Sequence, residues 1–423
     1  MLLRPQVFSA SAYSEALSAL HDLLAGRTAL LPLPSDWRTT HPDLPALMQA
    51  DDPSTPIAPG SLVVSTSGST GTPKGAILTT SQLDASNAGT FATIDALTGG
   101  RPGPWLLALP LHHIAGIQVM VRSLRAGFPP LLASHLSSGT AFTVEGFLQD
   151  ASTLAAEHPG EDLYTSLVPT QLERLATDPR AVDALAQFTA ILVGGAATRP
   201  SLLEELRACG VALITTYGSS ETAGGAVYNG HPIPGATVRI DSPDDRGAGL
   251  VTITGPMVAE GYRNLPGHPA FPAPGTFATS DIGFFSDATL RILGRADGAV
   301  NSGGYKVLPE EVERALADHI RGIATAAAVG VDDRELGQAI WAAVEFTPEN
   351  TPGADLPLEI TNIVRDTLRG HVPKHLNPRR VWTVGELPRI GPGKVDRRAV
   401  ATLLRELGRD TSRTERTERT SGA

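Results

Sequence analysis

The chain has 423 residues, more than one hydrophobic core usually organises, so we expect two domains. Its balance of apolar and charged residues is that of an ordinary globular protein, and its formal net charge of −10 excludes a general nucleic-acid binder. The single cysteine, Cys209, excludes an internal disulfide framework and a thiolate metal cluster.

The amino-terminal stretch, residues 1–26, is predicted to form an amphipathic helix rather than an export signal. Polar residues at 13–15 interrupt it before any long apolar run develops. No apolar run in the chain approaches the roughly 20 residues that a membrane-spanning helix needs. We therefore expect a cytoplasmic protein without a membrane span.

From about residue 61, short apolar runs alternate with segments of helical periodicity, which is typical of α/β sheets layered with helices. The runs predict strands at 61–66, 105–110, 164–168, 190–195 and 211–218. The periodic segments predict helices at 113–126, 143–157, 170–177 and 199–208. Near 237–293 the pattern becomes rich in strands and turns. Together these residues predict a large N-terminal domain, 1–296, in which 1–60 form a short leading region.

A second unit is predicted to follow as a small α+β domain over 297–403. Its predicted elements are a helix at 309–318, strands at 325–330 and 338–346, a helix at 359–369, a strand at 380–384 and a helix from 396. Residues 404–423 are polar and repetitive with little to bury, so we expect a disordered tail.

The strongest local signal is a loop of hydroxyl residues and glycines that directly follows the first predicted strand. Its glycines let the backbone bring N–H groups close to an anion, and its lysine adds positive charge. The lysine lies between a proline and a glycine, so the loop is not a Walker loop, and no G-x-G-x-x-G pattern is present. The sequence therefore predicts a triphosphate-binding loop. Its candidate residues are Thr66, Ser67, Gly68, Ser69, Thr70, Gly71 and Lys74.

This loop resembles the phosphate loop of the adenylate-forming superfamily, which includes acyl-CoA synthetases, peptide-synthetase adenylation domains and luciferases. The resemblance implies a large N-terminal domain joined by a hinge to a small C-terminal domain. It also implies ATP and Mg²⁺ as requirements and coenzyme A as co-substrate. Further motifs of that superfamily follow in order.

The first of these motifs, residues 109–116, ends a predicted strand and starts a helix. Its His113 matches the histidine that lies beside the acyl pocket in the superfamily, and we count it among the catalytic candidates. A lone histidine at a strand end is more often structural, which is the alternative.

The next motifs resemble those that surround the adenine and the phosphates. Gly194, Gly195 and Ala196 match the turn against adenine, where missing side chains let a flat base approach the backbone. Tyr217 and Gly218 match the stacking tyrosine and its neighbour. By resemblance, the Ser220 hydroxyl contacts phosphate, and Glu221 offers Mg²⁺ a carboxylate oxygen.

Three residues around 280–297 resemble the ribose-binding and hinge residues of the superfamily. Asp281 offers two acceptors to a vicinal diol, and Arg295 resembles the arginine that contacts the ribose or phosphate. Asp297 falls at the hinge. For Asp281 and Arg295, a surface salt bridge is the alternative interpretation.

The last motifs belong to the predicted small domain. Gly303, Gly304, Tyr305 and Lys306 resemble the segment that forms the thioester-making site. Lys394, in the match to L-P-R-x-x-x-G-K-x-x-R, corresponds to the catalytic lysine of adenylation. The resemblance implies that this domain rotates about the hinge between the two half-reactions.

The leading region is short, and in this the chain resembles bacterial o-succinylbenzoate–CoA ligases of menaquinone biosynthesis, as it does around 113–127, 164–172 and 219–225. Such an acid has a second carboxylate, which needs a donor or cation. Arg122 is the candidate, with Ser166 and Thr170 as hydroxyl donors. An arginine that extends to solvent is the alternative.

Other assignments stay open at this point. They are a ligase for another aryl or short-chain acid, a stand-alone adenylation domain, and a non-catalytic nucleotide-binding relative. The expected partners are small molecules, namely the acid, ATP and coenzyme A, and a homodimer is left open.

Overall fold

The computed structural model describes residues 1–66, 72–347, 350, 351, 353, 356–390 and 394–421, without the side chains of 394 and 410–421. Contacts divide the chain into two units. The first comprises Met1–Pro243, Val251–Thr279 and Phe285–Leu290, and the second comprises Asp244–Leu250, Ser280–Phe284 and Arg291–Ala423. The α/β fold class is confirmed. The predicted domain limits, 1–296 and 297–403, stay predictions.

The first sheet has four strands in chain order, and it carries the two ends of the phosphate loop. The strands are β1 (Arg4–Val7), β2 (Leu30–Leu33), β3 (Ser61–Thr66) and β4 (Lys74–Thr79). Strands β1 to β3 run parallel, whereas β3 and β4 form an antiparallel pair. The helices beside them are α1 (Tyr13–Leu24), α2 (Trp37–Thr40), α3 (Leu44–Leu47) and α4 (Thr80–Thr98). Residues 1–26 therefore differ from the prediction: a strand precedes a helix that begins at Tyr13.

The second sheet has seven strands, and its parallel part places several motifs at one edge. The strands are β5 (Trp105–Leu107), β6 (Leu131–Leu132), β7 (Tyr164–Leu167), β8 (Ala190–Val193), β9 (Leu213–Ser219), β10 (Gly224–Tyr228) and β11 (His231–Pro232). Their order is β11-β10-β9-β8-β7-β5-β6, with parallel pairs from β6 to β9. In open α/β sheets, ligands bind outside the carboxyl ends of such strands.

Helices cover this sheet because its central strands are apolar on both faces, as in AILV of β8, which is fully buried. The helices are α5 (Ile114–Arg125), α6 (Ser134–Ser138), α7 (Val144–Glu157), α8 (Pro169–Ala176), α9 (Pro179–Leu185) and α10 (Pro200–Ala208). Phe147, Leu172 and Leu206 from three of them pack with Ile191 of β8 in one core.

A third sheet follows, as the turn-rich sequence near 237–293 predicts. Its strands, in chain order, are β12 (Thr237–Asp241), β13 (Gly249–Thr254), β14 (Thr276–Ser286) and β15 (Thr289–Arg295).

The second unit is built on a six-stranded sheet with helices on both faces. The strands are β16 (Val300–Ser302), β17 (Tyr305–Val307), β18 (Ile323–Asp333), β19 (Gly337–Phe346), β20 (Leu358–Glu359) and β21 (Arg380–Thr383). Alternate residues of β18 face opposite cores: Ala328 packs with α11 (Pro309–His319) and α12 (Thr361–Leu368), and Val329 packs with α13 (Arg397–Ser421). A short antiparallel pair, β22 (Arg389–Ile390) and β23 (Lys394–Val395), precedes α13.

In the described part of the chain α13 continues to Ser421, and the disordered tail expected over 404–423 stays a prediction. Val400 and Leu404 anchor its first turns in the core. Beyond them the sequence has few residues to bury, but Glu415 and Arg419 have the i, i+4 spacing that favours a helix.

Among the described residues, no helix is both long and apolar enough to cross a membrane.

Candidate active site

The phosphate loop connects two paired strands, so its ends are fixed even though five of its predicted residues, 67–71, lie outside the described residues. Thr66 of β3 pairs with Lys74 of β4. The amide of Asn264 holds the second end: its Nδ2 donates to the Pro73 carbonyl at 2.9 Å, and its Oδ1 accepts from the Gly75 N–H at 3.0 Å. Asn264 is a site residue that sequence reasoning missed.

Lys74 lies among aromatic side chains of the same distant segment. Its Nζ is 5.1 Å from the centroid of the Tyr262 ring, which suits a cation–π contact. Nε2 of His268 is 3.3 Å from the same Nζ, and the His268 and Tyr262 rings meet edge to face with centroids 5.0 Å apart. Lys74 and His268 are both half-buried, so an anion from solvent can reach them.

Glu221 lies in a 3₁₀ turn, Ser220–Thr222, directly after β9. Its side chain is buried, at 8% exposure, and its Oε1 accepts a hydrogen bond of 2.7 Å from the Tyr262 hydroxyl. In the described part of the chain it makes no ion pair with a cationic side chain.

A buried carboxylate with a neutral partner suits Mg²⁺, a hard cation that takes one or two protein carboxylates and completes its shell with phosphate oxygens and water. The described residues include no group of three His, Cys, Asp or Glu side chains that could hold a metal without a substrate. The donor set therefore fits a magnesium ion that binds together with a phosphate substrate.

The predicted adenine turn follows β8 at the carboxyl edge of the sheet. Gly195 has a φ of +87°, in the left-handed region that favours glycine. A Cβ on Gly194 would lie 2.2 Å from Oγ1 of Thr216, so packing on β9 already requires glycine there. Tyr217 is half-buried and Ala196 is exposed.

Gly218, beside Tyr217, is likewise required by the sheet, because a Cβ there would lie 2.0 Å from the Gly224 carbonyl oxygen of β10. The structure thus explains the glycines at 194 and 218 by strand packing. The adenine contacts stay a prediction.

His113 occupies the N-cap position of α5, so its side chain lies at the start of that helix. The ring centroids of His113 and His112 are 4.3 Å apart. Loss of hydration lowers the pKa of His113, although the residue is exposed. Burial, and then the charge of His113, lowers the pKa of His112 to about 3. Both rings are therefore neutral near pH 7.

Arg122 does not extend to solvent, so that alternative is wrong. Only 3% of the residue is exposed, and its guanidinium carbon is 5.4 Å from the centroid of a Trp105 ring. Its Nη2 donates to Oγ1 of Thr90 at 3.2 Å and to the Tyr228 hydroxyl at 3.4 Å, whereas its Nε has no partner. Burial lowers the Arg122 pKa. No carboxylate of the described residues pairs with it.

The other predicted acid-binding residues lie on different elements. Ser166 is buried in β7, and Thr170 is the second residue of α8. Within the described residues, neither forms a hydrogen bond with Arg122, whose partners come from α4 and β10. Gln118, one turn before Arg122, was missed: its Nε2 donates to the Ala223 carbonyl at 2.7 Å, and its buried Oε1 has no partner.

Asp281, Arg295 and Asp297 are close together in the second unit. Arg295 donates to both carboxylate oxygens of Asp297, at 2.9 and 2.7 Å, and lies 3.6 Å from Asp281. The hydrogen bond to Asp297 raises the Arg295 pKa. The salt bridge that we considered as the alternative is therefore present, and half of the Arg295 side chain is exposed. Ribose binding and the hinge stay predictions.

The predicted thioester segment is a tight hairpin between β16 and β17. Gly303 and Gly304 have φ values of +55° and +84°, as a two-residue turn of type I′ requires. Tyr305 is 58% exposed, and its ring stacks on His375 with centroids 4.8 Å apart. Lys306 is exposed.

Lys394 is the first residue of β23 and pairs with Ile390, but its side chain lies outside the described part. Ion pairs anchor the chain on both sides of this lysine. Arg389 binds both carboxylate oxygens of Glu345, and Arg397 contacts Glu313 at 2.9 Å and Glu310 at 3.0 Å. Sequence reasoning missed these anchors.

Comparison with protein families and known structures now adds to this geometry. The model of the AMP-binding enzyme family matches residues 33–263, and that of the AMP-binding enzyme C-terminal domain matches residues 311–394.

Relatives match most of the chain. The chain is 38% identical over 398 residues to a probable 2-succinylbenzoate–CoA ligase of Mycobacterium tuberculosis H37Rv, covering 92% of this chain and 95% of that protein. It is 31% identical to the 2-succinylbenzoate–CoA ligase of Escherichia coli K12, covering 79% of this chain and 67% of that protein.

A solved structure supports the fold. The o-succinylbenzoate CoA synthetase of Bacillus subtilis, in complex with the acyl-adenylate intermediate, superposes with a TM-score of 0.74 at 21% identity. The match covers 94% of this chain and 88% of that one.

Proposed function

This chain belongs to the AMP-binding enzyme family, and we propose that it ligates o-succinylbenzoate to coenzyme A through an acyl-adenylate, with AMP and pyrophosphate as products. It is an acid–thiol ligase of menaquinone biosynthesis. The observation that carries this assignment is the full-length match to a relative of that name, which extends over both units.

The first half-reaction makes the acid reactive. A carboxylate is a poor acylating agent, because oxide would have to leave. A carboxylate oxygen of the acid attacks the α-phosphorus of ATP, the bond from that phosphorus to the β-phosphate oxygen breaks, and pyrophosphate leaves. Two anions must meet in this step, so positioning and neutralisation of charge supply most of the catalysis.

Two described residues support this role for the first unit. Lys74, at the end of the phosphate loop, lies 5.1 Å from the centroid of the Tyr262 ring, and Glu221 accepts a hydrogen bond from the hydroxyl of the same tyrosine. Mg²⁺, when bound, neutralises charge on the phosphates as pyrophosphate leaves. Glu221 would hold that ion, and Lys394, by resemblance to the family's lysine, would neutralise the attacking carboxylate and the α-phosphate.

In the second half-reaction, the thiol sulfur of coenzyme A attacks the adenylate carbonyl, the bond to the AMP oxygen breaks, and the thiol loses its proton. We propose that the hairpin of Gly303, Gly304, Tyr305 and Lys306 serves this step after a rotation about Asp297. His113, neutral near pH 7, is proposed to border the acyl group.

Arg122 supports the choice of a dicarboxylic acid. A buried guanidinium without a carboxylate partner is costly, and an anion brought by a ligand would offset that cost. We propose that the second carboxylate of o-succinylbenzoate supplies that anion. A benzoate or a short fatty acid would share the catalytic residues but leave Arg122 unpaired.

Formation of the CoA thioester tests the function directly. The full chain would be supplied with ATP, Mg²⁺, coenzyme A and either o-succinylbenzoate, benzoate, octanoate or no acid. Strong preference for o-succinylbenzoate supports the proposal, and turnover of another acid replaces the substrate but keeps the mechanism.

The remaining alternatives give different results in the same assay. A stand-alone adenylation domain would exchange pyrophosphate into ATP but ignore coenzyme A. A non-catalytic relative would show no exchange at all.

We also propose a cytoplasmic enzyme, because ATP and coenzyme A are supplied there, and cell fractionation tests this location. A homodimer stays a prediction, and light scattering coupled to size-exclusion chromatography measures the mass of the particle.

A further inference from the structure

The side chains of Lys74 and His268 meet at the end of the phosphate loop, and a hydrogen bond between them does not account for their contact. Nζ of Lys74 and Nε2 of His268 are 3.3 Å apart, although the two residues are 194 positions apart in the sequence. Both are half-buried and open to solvent on one side.

The neighbouring backbone fixes which nitrogen of His268 holds the proton. The Ala270 N–H donates to Nδ1 at 3.1 Å, so Nδ1 is an acceptor and carries no proton. In the neutral ring the proton is therefore on Nε2, which faces Lys74. A lysine ammonium has only donors, so the 3.3 Å contact joins two donors and is no hydrogen bond.

The other tautomer does not remove this conflict. If Nδ1 carried the proton, it would face the Ala270 N–H, and the two donors would meet there instead. Burial and the charge of Lys74 lower the His268 pKa, which favours the neutral ring. An anionic oxygen within hydrogen-bond distance of both nitrogens would accept from each and satisfy both donors.

We propose that His268 Nε2 and Lys74 Nζ together bind an oxygen of the β- and γ-phosphates of ATP, the group that leaves as pyrophosphate. This inference rests on the proposed function, since that function makes the loop at Lys74 the phosphate loop. His268 is then a substrate-binding residue of the adenylation step.

The surrounding contacts favour phosphate over the carboxylate of the acid. The Tyr262 ring meets the His268 ring edge to face, and its hydroxyl binds Glu221, the candidate ligand of the phosphate-bound Mg²⁺. Arg122, the candidate for the acid, lies in a separate set of contacts with Thr90 and Tyr228. Pyrophosphate also carries several negative charges, which suits two adjacent donors.

The test measures pyrophosphate on the full-length chain. We would titrate magnesium pyrophosphate by calorimetry into the wild type, His268→Ala and His268→Gln, and then measure ATP–pyrophosphate exchange and thioester formation from supplied acyl-adenylate. His231→Ala, at an exposed histidine of the same unit, is the control.

We expect His268→Ala to weaken pyrophosphate binding about tenfold and to raise the KM for pyrophosphate similarly, because one charge-assisted hydrogen bond is lost. The KM for the acid and the thioester step, which involves no pyrophosphate, should not change. The Gln amide nitrogen reaches about as far as Nε2, so His268→Gln should recover most of the affinity.

An unchanged affinity of His268→Ala for pyrophosphate would overturn the proposal, as would equal losses in both half-reactions, which indicate a structural role. Failure of the proposed function gives a different result from failure of this inference. In that case pyrophosphate would still bind in a manner that depends on His268, but no acid would form a CoA thioester.

Discussion

Two buried glutamates, one in each unit, have almost the same exposure but different partners. Glu221 of the first unit is 8% exposed and accepts from a tyrosine hydroxyl, whereas Glu345 of the second is 9% exposed and binds the guanidinium of Arg389 at both oxygens. The carboxylate of Glu345 is neutralised by Arg389, whereas among the described residues that of Glu221 pairs with no cationic side chain. A charge buried without a countercharge costs several kcal/mol.

The same difference between the two units holds for buried positive charges, as a comparison of Arg122 with Arg389 shows. Arg122 is more deeply buried than Arg389, yet in the described chain its hydrogen bonds go to two hydroxyl groups. The second unit therefore uses this ion pair to hold its structure, and we propose that the first unit keeps the charges of Glu221 and Arg122 for ligands of opposite sign. Sites that bind charged ligands are often less stable than their surroundings for this reason.

The largest expected effect concerns Lys394, which lies in the sequence between two arginines that form ion pairs in the second unit, Arg389 and Arg397. Lys394→Ala should slow adenylation about a thousandfold, near 4 kcal/mol, because the two reacting anions lose a neutralising charge. ATP–pyrophosphate exchange measures this step.

Thioester formation from supplied acyl-adenylate should stay nearly normal in the same variant, since the acid is then already activated. Equal loss of both half-reactions would show that Lys394 acts on the fold instead.

Arg389→Met tests whether the second unit depends on its ion pair. The substitution leaves the Glu345 carboxylate buried and unpaired, so we expect the free energy of unfolding of that unit to fall by about 3 kcal/mol. Urea denaturation followed by tryptophan fluorescence reports on it, because Trp341 and Trp382 both lie in this unit.

Adding Glu345→Gln to Arg389→Met removes the orphaned charge, and part of the stability should return. If Arg389→Met alone is as stable as the wild type, the comparison between the two units fails.

Arg122→Met should not lower the free energy of unfolding as Arg389→Met does, because it leaves no buried carboxylate of the described residues unpaired. Thr90 and Tyr228 keep their mutual hydrogen bond of 2.9 Å, so we expect stability to stay equal or rise. The KM for o-succinylbenzoate should rise about 50-fold, whereas a monocarboxylic acid should be spared.

The matched control is Arg125→Met on the same helix, which breaks an exposed ion pair with Asp84 and should change neither property measurably. An equal rise in KM for both acids would make Arg122 a structural residue.

These contrasts also show what the sequence could predict. The sequence could single out Glu221 and His113 as candidates because each lies in a short motif after an apolar strand, and a parallel sheet brings such ends to one edge. Lys74 was singled out by the composition of its loop instead, and the roles of all three stay predictions. Four strands and four helices between 105 and 218 were predicted from apolar runs and periodicity, whereas the short elements β6, α6 and α9 were not.

The partners of these residues were not predictable. Tyr262, Asn264 and His268 contact Glu221, Gly75 and Lys74 across 41 to 194 residues, and no local pattern links an ordinary turn to a distant loop. The burial of Arg122 was not predictable either. Gln118, Arg122 and Arg125 have the spacing of one polar helix face, which by itself favours exposure to solvent, yet Gln118 and Arg122 are buried.

The smallest expected effect is at Tyr262, and it tests how the buried carboxylate of Glu221 is oriented. Tyr262→Phe keeps the ring that packs on His268 and Phe271 but removes the hydroxyl that holds Oε1 of Glu221. Without that hydrogen bond the carboxylate is less fixed, so we expect about tenfold more Mg²⁺ for half-maximal adenylation, near 1.4 kcal/mol.

The KM for the acid should not change in Tyr262→Phe, and neither should the thioester step, because neither requires an oriented Glu221. The double variant Tyr262→Phe, Glu221→Gln tests whether the Tyr262 hydroxyl acts through Glu221 or through local packing. If Glu221 acts through the metal, the hydroxyl has no effect once the carboxylate charge is removed, and the double variant behaves as Glu221→Gln alone. If the two losses are instead independent and additive, the hydroxyl serves the packing of the 259–264 segment, and Glu221 is not the residue through which it acts.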